Sequence, residues 1–287
     1  MFRAHFASFI QISKKHNLNY TPHSIVIFIL CIIFGCASYF LQKYVVTAET
    51  ALVVGIVGSY VVFTSYFTFD YYLKQLSSSY KNIPEDKQFY VLSNLIKSAA
   101  LFAYSPLAAQ LLYETMYLDV WNSNKIRIMG TLYSIPDFVS LIVVKRMANT
   151  TKIHHVVVVV FNIISCYNDY TKVNVVRAIM VYAVFSVFSY LVNLLLASRF
   201  MQTSQWTKFL LSLLALIIYA ACCFFNWSWQ FLYLSKIFSN NQIAVVLYVG
   251  LMSQLVRDDY ILMKWLYKNL VREEKRRRAE SESDKED

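Results

Sequence analysis

Long apolar runs alternate with short polar connections along most of the chain. A helix needs ~20 predominantly apolar residues to cross the hydrocarbon core of a bilayer. The runs that reach or approach this length cover residues 24–41, 51–73, 89–113, 128–148, 153–166, 178–200, 208–225 and 243–270. The pattern therefore predicts an all-α polytopic membrane protein with about eight transmembrane helices.

The composition agrees with this pattern and argues against a soluble domain. The 287 residues are 57% apolar and 15% charged, whereas a soluble domain carries about 25% charged residues. The net charge of +10 does not indicate a nucleic-acid partner, because the basic residues lie mainly in the connections and tails between the apolar runs. We therefore expect these basic residues to contact the membrane surface and not a nucleic acid.

The distribution of Lys and Arg predicts the orientation of the chain. With the N-terminus placed in the cytosol, the inner connections carry 11 basic residues and the outer loops carry 6. The stretch from Arg257 onwards adds nine more on the inner side. Because basic residues concentrate in cytoplasmic loops, this count predicts that both ends of the chain are cytosolic.

Two terminal segments differ from the membrane-spanning part. Residues 1–23 form a predicted cytosolic or interfacial segment, in which apolar side chains recur at helical spacing opposite Lys14 and Lys15. A mitochondrial presequence is the alternative, because no acidic residue precedes Glu49. Residues 271–287 run from basic to acidic, which predicts a disordered, charged cytosolic tail with Ser281 and Ser283 as candidate kinase sites.

Several ionisable residues lie within or beside the predicted spans. Charged groups are costly in a bilayer, so such residues are functional candidates by default. They are Asp70, Lys97, Asp137, His154, His155, Arg257, Asp258 and Asp259.

Uncharged polar residues form stripes on two of the predicted helices. Residues at spacings of three and four share one helix face. One stripe consists of Tyr182, Ser186, Ser189 and Asn193, and the other includes Asn94 and Ser98. Two interpretations are open: the stripes line a polar cavity between helices, or they hold helices together by hydrogen bonds.

The adjacent histidines His154 and His155 are the most specific chemical feature. They begin a short apolar run, directly after a basic connection. Adjacent helix positions point ~100° apart, so one imidazole can face a cavity while the other faces a neighbouring helix. Imidazole acts as a base, an acid or a nucleophile near neutral pH. Catalysis and a purely interfacial role are both open, and no second pair of metal ligands lies nearby in the sequence.

The histidines and Asp137 belong to short motifs that follow one another along the chain. Gly-Thr-Leu-Tyr at 130–133 and Pro-Asp at 136–137 precede Thr-Thr-Lys-Ile-His-His at 150–155. This arrangement resembles the TLC-domain family, which includes ceramide synthases and the translocating-chain-associated membrane protein. Ser189 and Asn193 match a later part of the family pattern, and Tyr-Val-Gly-Leu at 248–251 is similar to its last helix. The residues after the histidines are Val156–Val160 instead of the acidic residues of ceramide synthases.

The resemblance implies a fold and a candidate site. A TLC-like six-helix bundle would cover residues 89–270, preceded by two additional transmembrane helices and a loop within 24–88. His154 or His155 would act as nucleophile or base, oriented by Asp137, with acyl-coenzyme A as the candidate acyl donor. We expect Asp137 to lie deeper in the same cavity as the histidines without contacting them directly.

The functions that follow from the resemblance are of two classes. The first is membrane lipid metabolism in the endoplasmic reticulum or a related endomembrane, either by ceramide-synthase-like acyl transfer or through control of lipid composition. The alternative is a non-enzymatic accessory or scaffold protein that binds lipids, other membrane proteins or a second copy of itself. An elongated apolar tunnel ending at the histidines would favour the enzyme, and a tightly packed interior would favour the scaffold.

Overall fold

The structure, a computed structural model, describes residues 22–44, 48–145, 147–201 and 204–283. The protein is 89% helical, and no strand occurs in the described ranges. The helices are α1 (Pro22–Tyr44), α2 (Ala48–Leu76), α3 (Ser78–Lys81), α4 (Glu85–Leu112), α5 (Ser123–Val143), α6 (Asn149–Tyr167), α7 (Val176–Ser186), α8 (Tyr190–Ser198), α9 (Gln205–Ile237) and α10 (Gln242–Ser283). The interfacial segment predicted at 1–23 lies outside the described residues, apart from the first two positions of α1.

Short irregular turns extend or join four of these helices. A π-helical turn, Tyr113–Tyr117, continues α4, and a 3-10 turn, Val187–Ser189, joins α7 directly to α8. A second 3-10 turn, Phe238–Asn240, ends α9. Helices α7 and α8 therefore form one membrane-length rod with a change of winding in its middle.

Within the described residues, six segments are long and apolar enough to cross a membrane. They are Thr50–Leu76, Glu85–Tyr117, Ser123–Val143, Asn149–Tyr167, Val176–Ser198 and Gln205–Asn240. The apolar part of α1, Ser24–Ala37, is shorter, and α10 carries the charged residues Arg257, Asp258 and Asp259 in its first half. The all-α prediction is confirmed, and these six segments agree with a polytopic membrane protein. The count of eight spans stays a prediction.

Helices α4 and α5 form the centre of the bundle. Helix α4 packs against α1, α5 and α8, and α5 packs against α2 and α6. Helix α2 approaches α5 closely at Gly58, where an added Cβ would lie 2.7 Å from Ile135 Cδ1. Only glycine permits this approach without displacing the Ile135 side chain.

Two helix starts are fixed by side-chain caps. The Asn122 side chain accepts hydrogen bonds from the backbone N–H groups of Asn124 and Lys125 at the start of α5. The Ser204 hydroxyl accepts one from the N–H of Thr207 at the start of α9. Capping satisfies donors that have no partner within the first helical turn, so the sequence itself determines where these two helices begin.

The end of α10 differs from the disordered tail predicted at 271–287. The helix continues to Ser283. Glu274 pairs with Arg277 at 3.1 Å and Arg278 at 2.8 Å, spacings that stabilise a helix. Hydrogen bonds from Arg277 and Arg278 lower the pKa of the Glu274 carboxyl. Alternation of charge at helical spacing, which composition alone does not reveal, explains why this segment is helical.

Candidate functional site

The candidate site is centred on Asp137, whose side chain is completely buried. Its Oδ1 atom forms an ion pair with the Nζ atom of Lys97 from α4. The Nδ1 atom of His155 from α6 lies 2.7 Å from the same oxygen. The side chains of three helices therefore meet at one carboxylate oxygen in the interior of the bundle.

The connection between α5 and α6 brings Asp137 and His155 to the same level. Helix α5 ends at Val143 and α6 begins at Asn149, so a short connection makes them antiparallel neighbours. Asp137 lies six residues before the end of α5, and His155 lies six residues after the start of α6. At ~1.5 Å per residue both are ~9 Å inside the helix ends. The expected separation of Asp137 from both histidines is therefore wrong, because His155 contacts the carboxylate directly.

The two adjacent histidines face different partners. The ring centroids of His154 and His155 are 5.8 Å apart and the rings are nearly perpendicular, at 88°. His154 Nδ1 lies 3.9 Å from the Oδ2 atom of Asp258 in α10. The side-chain exposure rises from 0% at Asp137 and 9% at His155 to 17% at His154 and 29% at Asp258. The cluster thus extends from the core of the bundle to a partly accessible side.

Several polar atoms of this cluster lack a hydrogen bond. Asp137 Oδ2, His154 Nδ1 and His155 Nδ1 are buried and have no hydrogen-bond partner among the described residues. His155 Nδ1 nevertheless lies 2.7 Å from Asp137 Oδ1, so the carboxylate is its nearest polar neighbour in this cluster. About nine in ten buried polar groups in proteins are hydrogen-bonded. Asp137 Oδ2 and His154 Nδ1 are therefore exceptions to this rule within the cluster.

A second buried carboxylate lies on the adjacent residue of α10. The hydroxyl of Tyr219 donates a hydrogen bond to Asp259 Oδ1 at 2.7 Å. The hydroxyl of Tyr182 lies 3.1 Å from Asp259 Oδ2 and 3.2 Å from Oδ1. Because Asp258 and Asp259 are consecutive, α10 links this cluster to the histidine cluster.

Most of the predicted polar stripes make hydrogen bonds to backbone carbonyls. Four side chains bond within their own helical segments: Ser186 to Tyr182, Ser189 to Ser186, Asn193 to Ser189 and Asn94 to Tyr90. The hydroxyl of Ser98 instead donates to the carbonyl of Tyr190 at 2.9 Å, which joins α4 to α8. Ser98 and Tyr182, whose hydroxyl contacts Asp259 of α10, therefore act in helix contacts, whereas the bonds within one segment do not distinguish the two interpretations.

A small cavity of about 40 Å³ lies between α5, α6 and α7. Tyr182 lines it together with Tyr133, Phe161 and Asn162, whereas Asp137, the histidines and the other stripe residues do not. A space of this size holds no more than a few water molecules. The cavity is therefore not an acyl-chain tunnel that ends at the histidines.

Sequence reasoning identified Lys97 and Asp259 as ionisable residues in spans but did not assign them to a site. The available signal was that a lone lysine in an apolar helix needs a counter-charge, and Asp137 supplies it.

Within the described residues no group of three or more His, Cys, Asp and Glu side chains is arranged to hold a metal ion. No family model matches the chain, and neither the curated proteins nor the solved structures include a significant match.

Proposed function

We propose that the chain is a TLC-like protein of membrane lipid metabolism, in which His155, oriented by Asp137, assists the transfer of an acyl group to a lipid acceptor. The observation that carries this proposal is the 2.7 Å contact between His155 Nδ1 and Asp137 Oδ1 in a fully buried setting. A carboxylate beside one ring nitrogen favours the tautomer that leaves the other nitrogen free to accept a proton. The ion pair with Lys97 supplies a counter-charge for that carboxylate.

The chemistry assigned to this site is acyl transfer from a thioester such as acyl-coenzyme A. The amine or hydroxyl of the acceptor forms the new bond to the acyl carbon and loses its proton to the imidazole, while the thiolate departs. His154 lies beside Asp258 on the more exposed side of the cluster. We assign His154 to the entrance of the site, where it contacts the acceptor.

The proposed topology has eight transmembrane helices, with both ends in the cytosol of an endoplasmic-reticulum-like membrane. In this arrangement α1 and α10 join the six apolar segments, and the short connection before His154 faces the cytosol. The acceptor pattern Asn149-Thr150-Thr151 at the start of α6 tests the orientation, because glycans are added only on the other side. A glycan on Asn149 in the native protein would overturn it.

A lipid comparison tests the catalytic role. The His155→Ala variant should lose the lipid product by a factor of ~100 or more, which is the contribution of a positioned general base. His154→Ala is the comparison variant: it removes an imidazole that contacts the acceptor but not Asp137, so it should lose less product than His155→Ala. Membrane lipids are profiled from cells that carry each variant, and the double alanine variant, at equal protein levels. A profile unchanged in the double variant would exclude catalysis by these histidines.

The second candidate is a non-enzymatic scaffold, favoured by the small cavity beside the site. A cavity beside the site with space for only a few water molecules suits helices that pack against each other or against partner helices there. Under this alternative the double alanine variant leaves lipid profiles unchanged and reduces co-purification with a membrane partner or a second copy. The same set of variants therefore separates the two functions.

A further inference from the structure

A cavity of about 250 Å³ lies at one end of the bundle, where α8 ends, α9 begins and α10 leaves the apolar core. Its lining is mostly charged and polar: Arg199, Lys208, Asn269, Arg272, Glu273 and Arg276. It is separate from the Asp137 cluster, whose residues do not line it. The distribution of basic residues predicts this end to be the cytosolic one.

The cavity carries four basic side chains and one acidic side chain. Glu273 is 4% exposed and its Oε1 atom lies 3.4 Å from Arg272 Nε and 3.3 Å from Arg276. One buried carboxylate therefore orients two guanidinium groups along the wall of the cavity. Arg199 and Lys208 have no carboxylate partner among the described residues. The cavity thus has a surplus of positive charge, which a concave surface concentrates.

Arg199, Arg272 and Arg276 are exposed, and contacts with neighbouring side chains orient two of them. The Arg199 guanidinium lies 5.2 Å from the ring centroid of Trp265 and 5.7 Å from that of Phe200. Arg272 donates to Asn269 Oδ1, and Asn269 donates to the Ser212 hydroxyl at 2.8 Å. Groups fixed in this way lose little further freedom when an anion binds.

We propose that this cavity binds the phosphorylated headgroup of an anionic lipid, or the same phosphate chemistry in a soluble molecule. Planar guanidinium groups match phosphate oxygens in pairs. Basic pockets between transmembrane helices on the cytoplasmic side accept headgroups of this class. The volume admits a compact, multiply charged headgroup, and the surplus of positive charge favours several phosphates over one.

The test measures binding of a fluorescent phosphatidylinositol bisphosphate to the full chain in phosphatidylcholine nanodiscs. The Arg199→Gln/Lys208→Gln variant should bind about tenfold more weakly, because charge-assisted contacts are lost. The Lys275→Gln/Arg278→Gln variant removes the same charge from exposed positions of α10 that do not line the cavity. It should keep the affinity of the wild type.

Additional arms identify the source of the phosphate and guard against unfolding. Competition by soluble inositol trisphosphate would assign the site to the phosphate groups alone, and retained lipid binding without competition would assign it to the membrane-embedded lipid. The single Lys208→Gln variant, which alters only a half-buried side chain, replaces the double variant if the latter melts at a lower temperature. Equal losses in the cavity and control variants would overturn the proposal. Equally tight binding of phosphatidylserine would do the same.

Discussion

Two buried carboxylates, Asp137 and Asp259, are stabilised in opposite ways. Asp137 is neutralised by charged or chargeable groups, Lys97 and His155, and one of its oxygens has no hydrogen bond. Asp259 accepts hydrogen bonds from two tyrosine hydroxyls, and both of its oxygens are engaged. Both oxygens of Asp259 therefore have their acceptor capacity used by neutral hydroxyls, without a charged partner among the described residues of this cluster. The Asp137 cluster depends on charge balance and keeps unpaired atoms, which is the pattern of a site.

The largest expected effect tests the charge balance of the first cluster. Asp137→Asn leaves Lys97 and its positive charge without a partner in the core, which should destabilise the fold by about 3–5 kcal/mol. The free energy of unfolding is measured in bicelles or nanodiscs. The Asp137→Leu/Lys97→Met variant removes both charges and should recover most of the loss. If Asp137→Asn lowered the free energy of unfolding no more than Asp259→Asn does, the distinction between the two clusters would be lost.

The second prediction concerns Asp259 as the hydrogen-bond acceptor of the tyrosine hydroxyls. Asp259→Leu keeps a similar shape but leaves two tyrosine hydroxyls without an acceptor, so it should destabilise the fold by about 1–3 kcal/mol. Asp259→Asn, which keeps one carbonyl oxygen, should cost less. The same unfolding measurement applies. A loss for Asp259→Asn as large as that for Asp137→Asn would show that charge matters equally at both carboxylates.

A smaller effect is expected from a single donor. Tyr219→Phe removes the 2.7 Å hydrogen bond to Asp259 and should destabilise the fold by about 1 kcal/mol. The lipid profile should not change, because Tyr219 does not contact Asp137 or the histidines. A changed profile with unchanged stability would move Asp259 into the functional site and merge the two clusters.

The smallest effect concerns the polar stripes. Ser98→Ala removes one hydrogen bond between α4 and α8, and such contacts between membrane helices contribute about 0.6 kcal/mol on average. Thr64→Ala is a control, because its hydroxyl bonds only to a carbonyl of its own helix on an exposed face. Unfolding in the same bicelles should detect a difference for Ser98 alone. A loss well above this range would indicate that Ser98 supports more than one helix contact.

The sequence predicts where the helices of this protein lie along the chain better than it predicts which helices contact each other. The run 153–166 became α6, Asn149–Tyr167, and the run 128–148 became α5, Ser123–Val143. Apolar length marks a span, and side-chain capping shifted the start of α5 outward to Ser123. The short connection between α5 and α6 explains why Asp137 lies near the histidines, but its direct contact with His155 was not predicted.

The partners from distant helices could not be predicted in the same way. The spans are apolar on nearly all sides, so periodicity does not mark which face is buried in protein and which meets lipid. The pairing of Lys97 with Asp137, and of Tyr182 with Asp259, depends on helix rotation and on which helices are neighbours. Both are properties of tertiary packing, and opposite charge or hydrogen-bonding capacity was the only sequence signal for them.

The length of α10 carries its last part well beyond its apolar part. Its 42 residues span ~63 Å, about twice the ~30 Å hydrocarbon core. Residues 271–283 therefore extend ~20 Å beyond position 270 as a stiff rod. This length is about two Debye lengths at physiological ionic strength. A charge at the far end of the rod is therefore largely screened from charges at position 270.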